Sequence, residues 1–430
     1  MIKRPFFQLT SPKLRYDLIE SDLKEPEKIP KPPRMIILLD EPLDSTRKMR
    51  IEEGDTVKTG ERLFLYRNST EYTTSPCTGT ITSIASYTGD FGKVSTYFVI
   101  ERKNSNEQLN EFEDFADKPE LESADRFLRS LPGKPPFKTF TRKDNKIHTL
   151  VITGADMDLL STTCQYHIVT AIEEIKQGIQ ILEKITGITR VFITIPEELR
   201  QNNGFEKMQV IRTSPIYPDT LPEIIMKDYL NTIVPAGGTC EEAGVCFIPP
   251  EAVISIARAY REKTPVYEKI VTITGKNGNS RRVKATIGTP IHRIFSHLDL
   301  KINEKDRIII GGPMKGFSTY TLYHPVTPDM DNIIIQDRAA IEYVSDYPCI
   351  NCGKCINICP ANVPVNLLVR NLEADRYEDA ADLFDLNSCI ECGLCSYVCT
   401  ARIPLFQYIK LGKHQLQLLE AEQKTEAANA

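Results

Sequence analysis

No stretch of this chain is apolar over the roughly eighteen residues that a membrane-spanning helix needs, so the sequence predicts no span. The amino terminus, MIKRPFFQLTSPK, lacks the apolar core and small-residue cleavage site of a signal peptide. Basic residues are not in excess, because 53 Lys and Arg against 58 Asp and Glu give a net charge of −5, which argues against nucleic-acid binding. We therefore expect a cytoplasmic protein that associates with a membrane only through partners.

The sequence also lacks the patterns of hydrolases and phosphotransferases. No P-loop, metal-hydrolase motif or Ser/His/Asp set is apparent, and the 6 histidines are scattered without paired spacing. We therefore assign no catalytic residue and no ligand role to the histidines. The enzyme class stays open at this point.

Eight of the 12 cysteines lie in two blocks near the end of the chain, each with the spacing C-x2-C-x2-C-x3-C. In this bacterial-ferredoxin pattern, three close cysteines hold one 4Fe–4S cluster and the fourth ligates the other. The spacing therefore predicts two 4Fe–4S clusters. The predicted ligands of the first are Cys349, Cys352, Cys355 and Cys399. The predicted ligands of the second are Cys389, Cys392, Cys395 and Cys359.

Structural zinc and disulfides are the alternatives for these cysteines. Zinc sites use paired C-x2-4-C hooks with four ligands per metal and do not need a third cysteine three residues further on. Disulfides between residues three apart in a helical turn are strained, and regularly spaced cysteines in a cytosolic protein favour metal or redox chemistry. The two-cluster interpretation fits all eight residues.

The remainder of the chain predicts an α/β multidomain protein. A β-rich region is followed by an acidic, proline-broken stretch, then by alternating strands and helices, and then by strands again. The predicted segments are an extended arm (1–34), a β-rich domain (35–104), a linker and loop (105–145), an α/β domain (146–263), a small β module (264–317), a connector (318–345), a cluster domain (346–408) and a C-terminal helix and tail (409–430).

The β-rich domain contains the elements G-D-x-V-K-x-G and S-P-x-x-G-x-I, which resemble the barrel-sandwich fold of biotinyl and lipoyl domains. The hairpin between these halves reads RNSTEYTT and contains no Lys, so we expect no covalent cofactor and a scaffold role. Cys77 in this region is expected to be a packed thiol. The same expectation applies to Cys164, Cys240 and Cys246, whose spacings match no cluster pattern.

The α/β domain opens with the apolar strand IHTLVITGAD, as expected for a parallel sheet that is covered on both faces. One helix is predicted to follow, with an apolar stripe at helical spacing and a C-cap at Gly187. The stripe residues are Ile168, Ile172, Ile175, Ile179 and Leu182. The next module has two strands around the turn GKNGNS, a helix at 290–298 and a last strand, RIIIGGPMKG, which together indicate a β-grasp fold.

The order of these modules resembles the C subunit of the Rnf electron-transport complex over almost the whole chain. The phrases that carry the resemblance are CIECGLCSYVC followed by ARIPLFQYIKLGK, GGPMKG, VPAGG and PVYEKIVTITG. The α/β and β-grasp pair also resembles the flavin-binding subunit of respiratory complex I. The resemblance implies a Rossmann-like α/β domain, an SLBB-like β-grasp module, and a peripheral subunit on the cytoplasmic face of a membrane complex that exchanges electrons between NADH and ferredoxin while it moves Na⁺ or H⁺.

The chain departs from the family pattern where FMN and NADH bind. NADH-oxidising members carry a loop close to G-x-G-G-A-G-F-P, whose backbone N–H groups approach a flavin phosphate. Here the stretch reads RFLRSLPGKPPFKTF, in which only Gly133 remains. Asp156 and Asp158 stand where the family has carboxylates, and they are also typical strand-end turn residues. Nearby cations that could meet a phosphate, or simply be solvated, are Lys134, Lys138 and Arg142.

These observations predict an iron–sulfur relay subunit of a membrane-bound, ion-translocating oxidoreductase. Its FMN and NADH site is expected to be eroded, although a residual flavin stays open. The expected partners are other subunits of the complex, and ferredoxin or another electron carrier. The alternative is an iron–sulfur scaffold subunit of a different membrane complex, of the quinone or heterodisulfide type, in which the α/β domain only docks a partner.

Overall fold

The computed structural model describes residues 12–20, 23–89, 92–105, 107–142, 146–199, 208–345 and 347–429, with side chains as far as 423. The sequence patterns at the extreme amino terminus therefore lie outside the described residues. The chain divides into two units, each built from separated segments. The larger unit contains Tyr16–Pro215 and Cys240–Arg338, and the smaller contains Met1–Arg15, Ile216–Thr239 and Ala339–Ala430.

The strands all belong to segments of the larger unit. In chain order they are β1 (Glu27–Lys28), β2 (Arg34–Leu39), β3 (Thr56–Val57), β4 (Arg62–Leu63), β5 (Thr73–Thr74), β6 (Gly79–Thr88), β7 (Val94–Arg102), β8 (Thr149–Ile152), β9 (Val191–Pro196), β10 (Gln209–Thr213), β11 (Val245–Ile248), β12 (Glu268–Thr274), β13 (Ser280–Thr286), β14 (Arg307–Ile310), β15 (Phe317–Thr319) and β16 (Asn332–Gln336).

The helices occur in both units. They are α1 (Glu113–Ala116), α2 (Leu121–Phe127), α3 (Phe137–Thr141), α4 (Thr163–Thr170), α5 (Ile172–Thr186), α6 (Pro222–Asp228), α7 (Pro250–Glu262), α8 (Ile291–His297), α9 (Lys354–Asn357), α10 (Val365–Leu372), α11 (Tyr377–Phe384), α12 (Leu394–Val398) and α13 (Leu405–Asn429). Among the residues described, no helix is both long and apolar enough to cross a membrane.

Residues of the predicted β-rich domain form a sheet of order β2-β7-β6-β3 and a separate pair, β4-β5. The two share one core, because Met35 and Phe98 from the sheet pack in the same cluster as Leu63. Cys77 is also buried in this cluster, where burial raises the pKa of its thiol to about 11. A neutral thiol enclosed by apolar side chains is a packing group.

The predicted α/β domain contains a parallel sheet of order β10-β9-β8-β11, with α5 and α7 packed together. The apolar stripe is divided between α4 and α5, because the backbone leaves helical geometry at Ala171. Gly187 ends α5 in the left-handed conformation, with φ of 73°. At Gly178, a Cβ would collide with the Val253 carbonyl, so glycine permits the close approach of α5 and α7.

Short helices occupy much of the acidic, proline-broken stretch between these domains. Phe112, Phe127 and Phe137, in or beside α1, α2 and α3, are buried in the core of the α/β domain. Each such aromatic side chain contributes about 1.5–3 kcal/mol when it is removed from water. The aromatic side chains of this stretch are therefore part of a folded core.

The second large sheet has the order β1-β13-β12-β16-β14-β15. Its central strand β16 pairs in parallel with β12 and antiparallel with β14, although its residues lie in the predicted connector. The edge strand β1 comes from the predicted arm and pairs in parallel with β13. The sheet is thus larger than the predicted module at 264–317. Ile333, at the centre of this sheet, is fully buried.

The smaller unit is all-helical in its described residues and contains the two cysteine blocks. Each cysteine of the second block lies 40 positions after its counterpart in the first. The backbone repeats as well, because Gly353 and Gly393 have φ of 72° and 75° before α9 and α12. The apolar core joins both halves through Leu368 of α10 and Ile409 of α13.

Candidate iron–sulfur site

The two cysteine blocks sit in equivalent local structures. In each block the first two cysteines lie on an irregular segment, the third lies in a short helix, and the fourth follows that helix. The left-handed glycine before each helix turns the chain so that the third cysteine faces back toward the first two. This repeated fold explains why both blocks need the same spacing.

One group of thiols surrounds a small cavity in the smaller unit. Its lining includes Ile350, Val369 and Arg370 as well as four cysteines. The cysteines are Cys349, Cys352, Cys355 and Cys399. Three of them belong to the first block and the fourth comes from the second, which is the grouping that the ferredoxin spacing predicts for the first cluster.

The other group is more enclosed. Burial, together with the neighbouring thiols of Cys389 and Cys359, raises the pKa of Cys392 to about 12. The same two thiols act on Cys395, whose pKa is also raised chiefly by burial. Cys359 of the first block therefore lies with three cysteines of the second. The assignment of each cysteine to a cluster stays a prediction, and these are the four residues predicted for the second.

No three His, Cys, Asp or Glu side chains, anywhere in the described ranges, converge closely enough to hold a single metal ion. A 4Fe–4S cluster demands another arrangement, because its four cysteines bind different iron atoms and surround the cube. Four thiols spread around a cavity meet that demand. The chemistry and placement of the first group fit a cube in this sense.

Polar groups from distant parts of the chain support the second block. The Tyr217 hydroxyl donates a hydrogen bond of 2.7 Å to the carbonyl of Cys392. The Lys413 ammonium on α13 donates to the carbonyl of Cys389 at 2.6 Å and to Oε1 of Glu391 at 3.0 Å. Sequence analysis missed these residues, and the 40-residue repeat is the signal that could have directed attention to α13.

The phrase VPAGG, noted only for its resemblance, also lies beside this block. The amide of Gly237 donates a hydrogen bond of 3.0 Å to the carbonyl of Asn387, two residues before Cys389. Its φ is 75°, a conformation that glycine adopts without strain. A loop from the middle of the chain therefore helps to hold the second block in place.

A separate cleft of about 920 Å³ lies in the larger unit, lined in part by the loop that replaces the family's flavin-binding glycines. Three backbone amides of this loop donate hydrogen bonds within the protein. The amide of Gly133 donates to Pro328, that of Lys134 to Leu131, and that of Phe137 to Pro135. Three prolines of the loop have no N–H to offer.

Two of the candidate cations near this loop form ion pairs. Lys134 contacts Asp329 with 3.3 Å between Nζ and Oδ2, and Lys138 forms an ion pair with Glu71. Arg142 is exposed. Three amides of this loop and two of its three candidate cations are therefore engaged within the protein.

The two aspartates after β8 have local bonding partners. Asp156 is buried and accepts hydrogen bonds from the Ser161 hydroxyl and the Cys164 amide. Asp158 accepts from the amides of Met314 and Lys315, in the GGPMKG turn, at 3.2 and 2.8 Å. Burial raises the pKa of both carboxyls, and these bonds offset part of the effect. They act as turn and cap residues.

The remaining cysteines are buried, as expected. Burial raises the pKa of Cys164 and Cys246 well above the ordinary value. Cys240 is buried near Cys246 and acts on its pKa. None of these three belongs to the two groups described above.

Comparison with known proteins places residues 348–403 in the family described as 4Fe-4S dicluster domain. The prediction of two 4Fe–4S clusters is thereby confirmed. The fold prediction is confirmed at the level of a mixed α/β multidomain chain with a C-terminal 4Fe–4S domain.

Curated relatives share one name, that of the C subunit of the ion-translocating oxidoreductase complex. The relative from Pectobacterium carotovorum subsp. carotovorum (strain PC1) is 27% identical over 383 residues, which cover 83% of this chain and 51% of that protein. The Vibrio cholerae (strain ATCC 39315) relative is 28% identical over 261 residues, covering 58% and 34%. This chain thus spans about half the length of the first relative. The resemblance to the Rnf C subunit, inferred from the sequence, is confirmed.

Among solved structures, the chain has partial similarity to an NAD⁺-reducing [NiFe]-hydrogenase in the H2-reduced state. The match covers 71% of this chain and 63% of the hydrogenase chain, with a TM-score of 0.42 and 10% sequence identity. The air-oxidized state of such a hydrogenase gives the same TM-score.

Proposed function

We propose that this chain is an iron–sulfur electron-transfer subunit of an ion-translocating oxidoreductase complex, and that it relays electrons through two 4Fe–4S clusters. The match of residues 348–403 to a dicluster domain carries the proposal. The grouping of thiols from both blocks supports it, and the similarity to the curated C subunits supports the kind of complex. The alternative, a scaffold subunit of a quinone or heterodisulfide-type complex, has no separate observation in its favour.

A 4Fe–4S cluster supplies one-electron transfer when it is bound, and the chain sets the conditions for that transfer. Backbone amides lie beside the sulfurs, as those of Ile356 and Leu394 do at Cys355 and Cys392. An N–H aimed at a sulfur stabilises negative charge there and so favours the reduced form. The short helices α9 and α12 therefore hold the ligands and also tune them.

The surface of the first group suggests where electrons cross to a partner. Cys352 is exposed, whereas Cys392 and Cys395 of the second group are buried. Ile350 and Tyr347 beside it are 63% and 79% exposed. Because electron transfer slows steeply with distance, we infer that a ferredoxin or another carrier, or a neighbouring subunit, exchanges electrons at this edge.

We further infer that the chain has no FMN or NADH site of its own. The occupied amides around Gly133 and the ion pairs of Lys134 and Lys138 support this inference. A flavin phosphate would have to compete with bonds that the loop already makes within the protein. The electrons would then arrive from a partner.

We also infer the finer fold of the larger unit. The two small sheets that share one core favour a lipoyl-like barrel-sandwich at 35–104. The parallel sheet with α5 and α7 favours a Rossmann-like domain at 146–263. Strands β12, β13 and β14 with α8 favour an SLBB-like β-grasp module, which extends beyond 317 because β16 lies between β12 and β14.

The complex would bind this chain as a peripheral subunit on the cytoplasmic face of a cell membrane. The expected behaviour is sedimentation with membranes that contain the partner subunits, and release by a chaotropic wash without detergent. Membranes from cells that lack those subunits are the control. Retention on control membranes, or release only by detergent, would contradict the proposed mode of attachment.

The test of the redox proposal is anaerobic purification of the full chain with iron, acid-labile sulfide and flavin analysis. We expect about eight iron and eight sulfide per chain, as two cubes require, with no flavin. Dithionite should bleach the visible absorption, and NADH alone should not. Iron near four or zero would overturn the two-cluster proposal, whereas stoichiometric FMN with NADH-driven bleaching would overturn only the inference about the flavin site.

A further inference from the structure

The 40-residue repeat of the cluster blocks continues into the helices that follow them. Asn351 and Glu391 occupy the same position between the first two cysteines of their blocks, and both have φ of 54°. Helices α10 and α13 begin at the equivalent residues Val365 and Leu405. Residues at matching positions of these two helices can therefore be compared directly.

The position after the second turn of these helices carries opposite charges in the two halves. In the first half it is Glu373, which lines the cavity around the first group of thiols. In the second half it is Lys413, whose ammonium bonds to the carbonyl of Cys389 and to Glu391. A sequence repeat that preserves the ligands has thus reversed the charge beside them.

Each half of the 40-residue repeat also contains other charged side chains. Lys354 and Arg370 line the first cavity, and Arg370 donates to Asn351 at 2.7 Å. Lys410 is the counterpart of Arg370, and its ammonium lies over the Phe406 ring, 5.6 Å from the centroid. Lys413 differs from these cations because it is bonded directly to the backbone of a predicted ligand.

We propose that Lys413 tunes the reduction potential of the cluster held by the second group of thiols, and that Glu373 acts with opposite sign at the first. The proposal rests on the proposed function, because it requires both clusters. Reduction adds an electron to an anionic centre, so a nearby ammonium stabilises the reduced form and a carboxylate destabilises it. Lys413 is only 21% exposed, which limits screening by water.

Lys413 also positions the segment that carries its target. Its bond to the Cys389 carbonyl fixes the irregular backbone before α12, and its ion pair holds Glu391 inside the C-x-x-C loop. The Glu391 amide in turn lies 3.4 Å from the Cys389 sulfur. Loss of the lysine would therefore remove a cation and leave the Glu391 carboxylate unpaired near the ligands, and both changes disfavour reduction.

The test is a mediated redox titration of the purified full chain, followed by electron paramagnetic resonance. In Lys413→Met, we expect one of the two reduction steps to shift to a lower potential by about 59 mV. This shift corresponds to about a tenfold change in the ratio of reduced to oxidised cluster at a given potential. The other step should stay in place. Lys413→Arg should largely restore the first step, because it retains the charge, whereas a purely packing role would not predict such rescue.

Glu373→Gln is the matched variant in the other half of the repeat. It should raise the potential of the reduction step that Lys413→Met leaves unchanged. The shift should be smaller than that in Lys413→Met, because Glu373 is exposed. Glu420→Gln, an exposed carboxylate further along α13, is the control and should move neither step. Shifts of the same step in Lys413→Met and Glu373→Gln would overturn the proposal.

Iron content separates this proposal from the function on which it rests. A wild-type chain without about eight iron atoms contradicts the two-cluster function. A loaded Lys413→Met chain with two unchanged steps overturns the role of Lys413 alone. If Lys413→Met fails to retain iron, Glu391→Gln keeps the ammonium and should raise the second step; an unchanged second step in that variant overturns the proposal.

Discussion

Cys359 and Cys399 are the residues that each block contributes to the other's group of thiols. Because each lies with three cysteines of the opposite block, we expect Cys399→Ser to perturb the first cluster and Cys359→Ser the second. Each variant should lose up to about four of about eight iron atoms, and its surviving resonance signal should differ from that of the other variant. Iron analysis with paramagnetic resonance is the measurement. Identical surviving signals would contradict the crossed assignment.

Lys269 is a fully buried cation in the larger unit. It forms an ion pair with Glu251 and lies 3.1 Å from Oδ1 of Asp331. Lys269→Met leaves Glu251 buried without that partner, so we expect the free energy of unfolding to fall by about 3–5 kcal/mol. Denaturant unfolding of the larger unit, followed by circular dichroism, measures the loss. Lys305→Met, at an exposed lysine in the same unit, should change stability little.

The pH dependence of this ion pair has a definite sign. Burial raises the pKa of Glu251, but Lys269 and His167 outweigh burial and lower it from 4.5 to about 2. A carboxyl with a lowered folded-state pKa contributes stability above its unfolded value, and the contribution disappears as the pH falls through this interval. Glu251→Gln should therefore reduce the difference in stability between pH 6 and pH 3. An equal difference in both proteins would contradict this role.

At this scale, the spacing in the sequence predicts the eight cysteines as ligands, because the pattern depends on local turns. It did not identify Tyr217 or Lys413, since a hydrogen bond to a backbone carbonyl has no sequence motif of its own, and for Lys413 only the 40-residue repeat directs attention to α13. The sequence left two interpretations of Asp156 and Asp158 open, namely the family's carboxylates or strand-end turn residues. The structure gives both of them turn and cap bonds, with partners that lie up to 157 positions away.

The two groups of thiols differ in their exposure to solvent. Cys352 is exposed in the first group, whereas Cys392 and Cys395 are buried in the second. We therefore expect ferricyanide with a chelator to destroy the first cluster before the second. Resonance spectra taken during the reaction, with Cys399→Ser as the reference for loss of the first signal, would follow the order. Simultaneous loss, or loss of the second signal first, would contradict it.

Strand β16 joins the two halves of the six-stranded sheet, and Ile333 is buried at its centre. Ile333→Ala should destabilise the larger unit by about 2–5 kcal/mol, because it leaves a cavity between packed strands. Denaturant unfolding is the measurement, and Val94→Ala, at a side chain that is 41% exposed, is the control. Equal effects of the two substitutions would contradict the central place of β16.

Several elements could be predicted from periodicity and turn residues, as β12, β13 and α8 were. Two differences between the predicted and the observed elements have physical causes. The apolar stripe predicted one helix, but a stripe does not report the break at Ala171, which leaves the apolar residues of α4 and α5 on the same core. Strand β16 follows a proline-rich passage, so its short apolar run gave no sign that it would pair between β12 and β14.

At the scale of the whole molecule, an α/β chain with a 4Fe–4S domain near its C-terminal end was predictable from the sequence, but the division into units was not. Local patterns describe neighbours in sequence, whereas the smaller unit gathers Ile216–Thr239 with Ala339–Ala430. The loop at Gly237 and the hydroxyl of Tyr217 both bond to the region of the second block. No composition change marks these residues as part of the cluster unit.

This discontinuity has a consequence for the order of events during synthesis. The ribosome completes Ile216–Thr239 before it has made either cysteine block, so Tyr217 and Gly237 emerge more than a hundred residues ahead of Cys392 and Asn387. The six-stranded sheet of the larger unit can close only when β16 has emerged, long after this segment of the smaller unit. Iron must therefore enter a protein whose supporting loop was made long before the ligands, which makes cluster insertion a late step in its assembly.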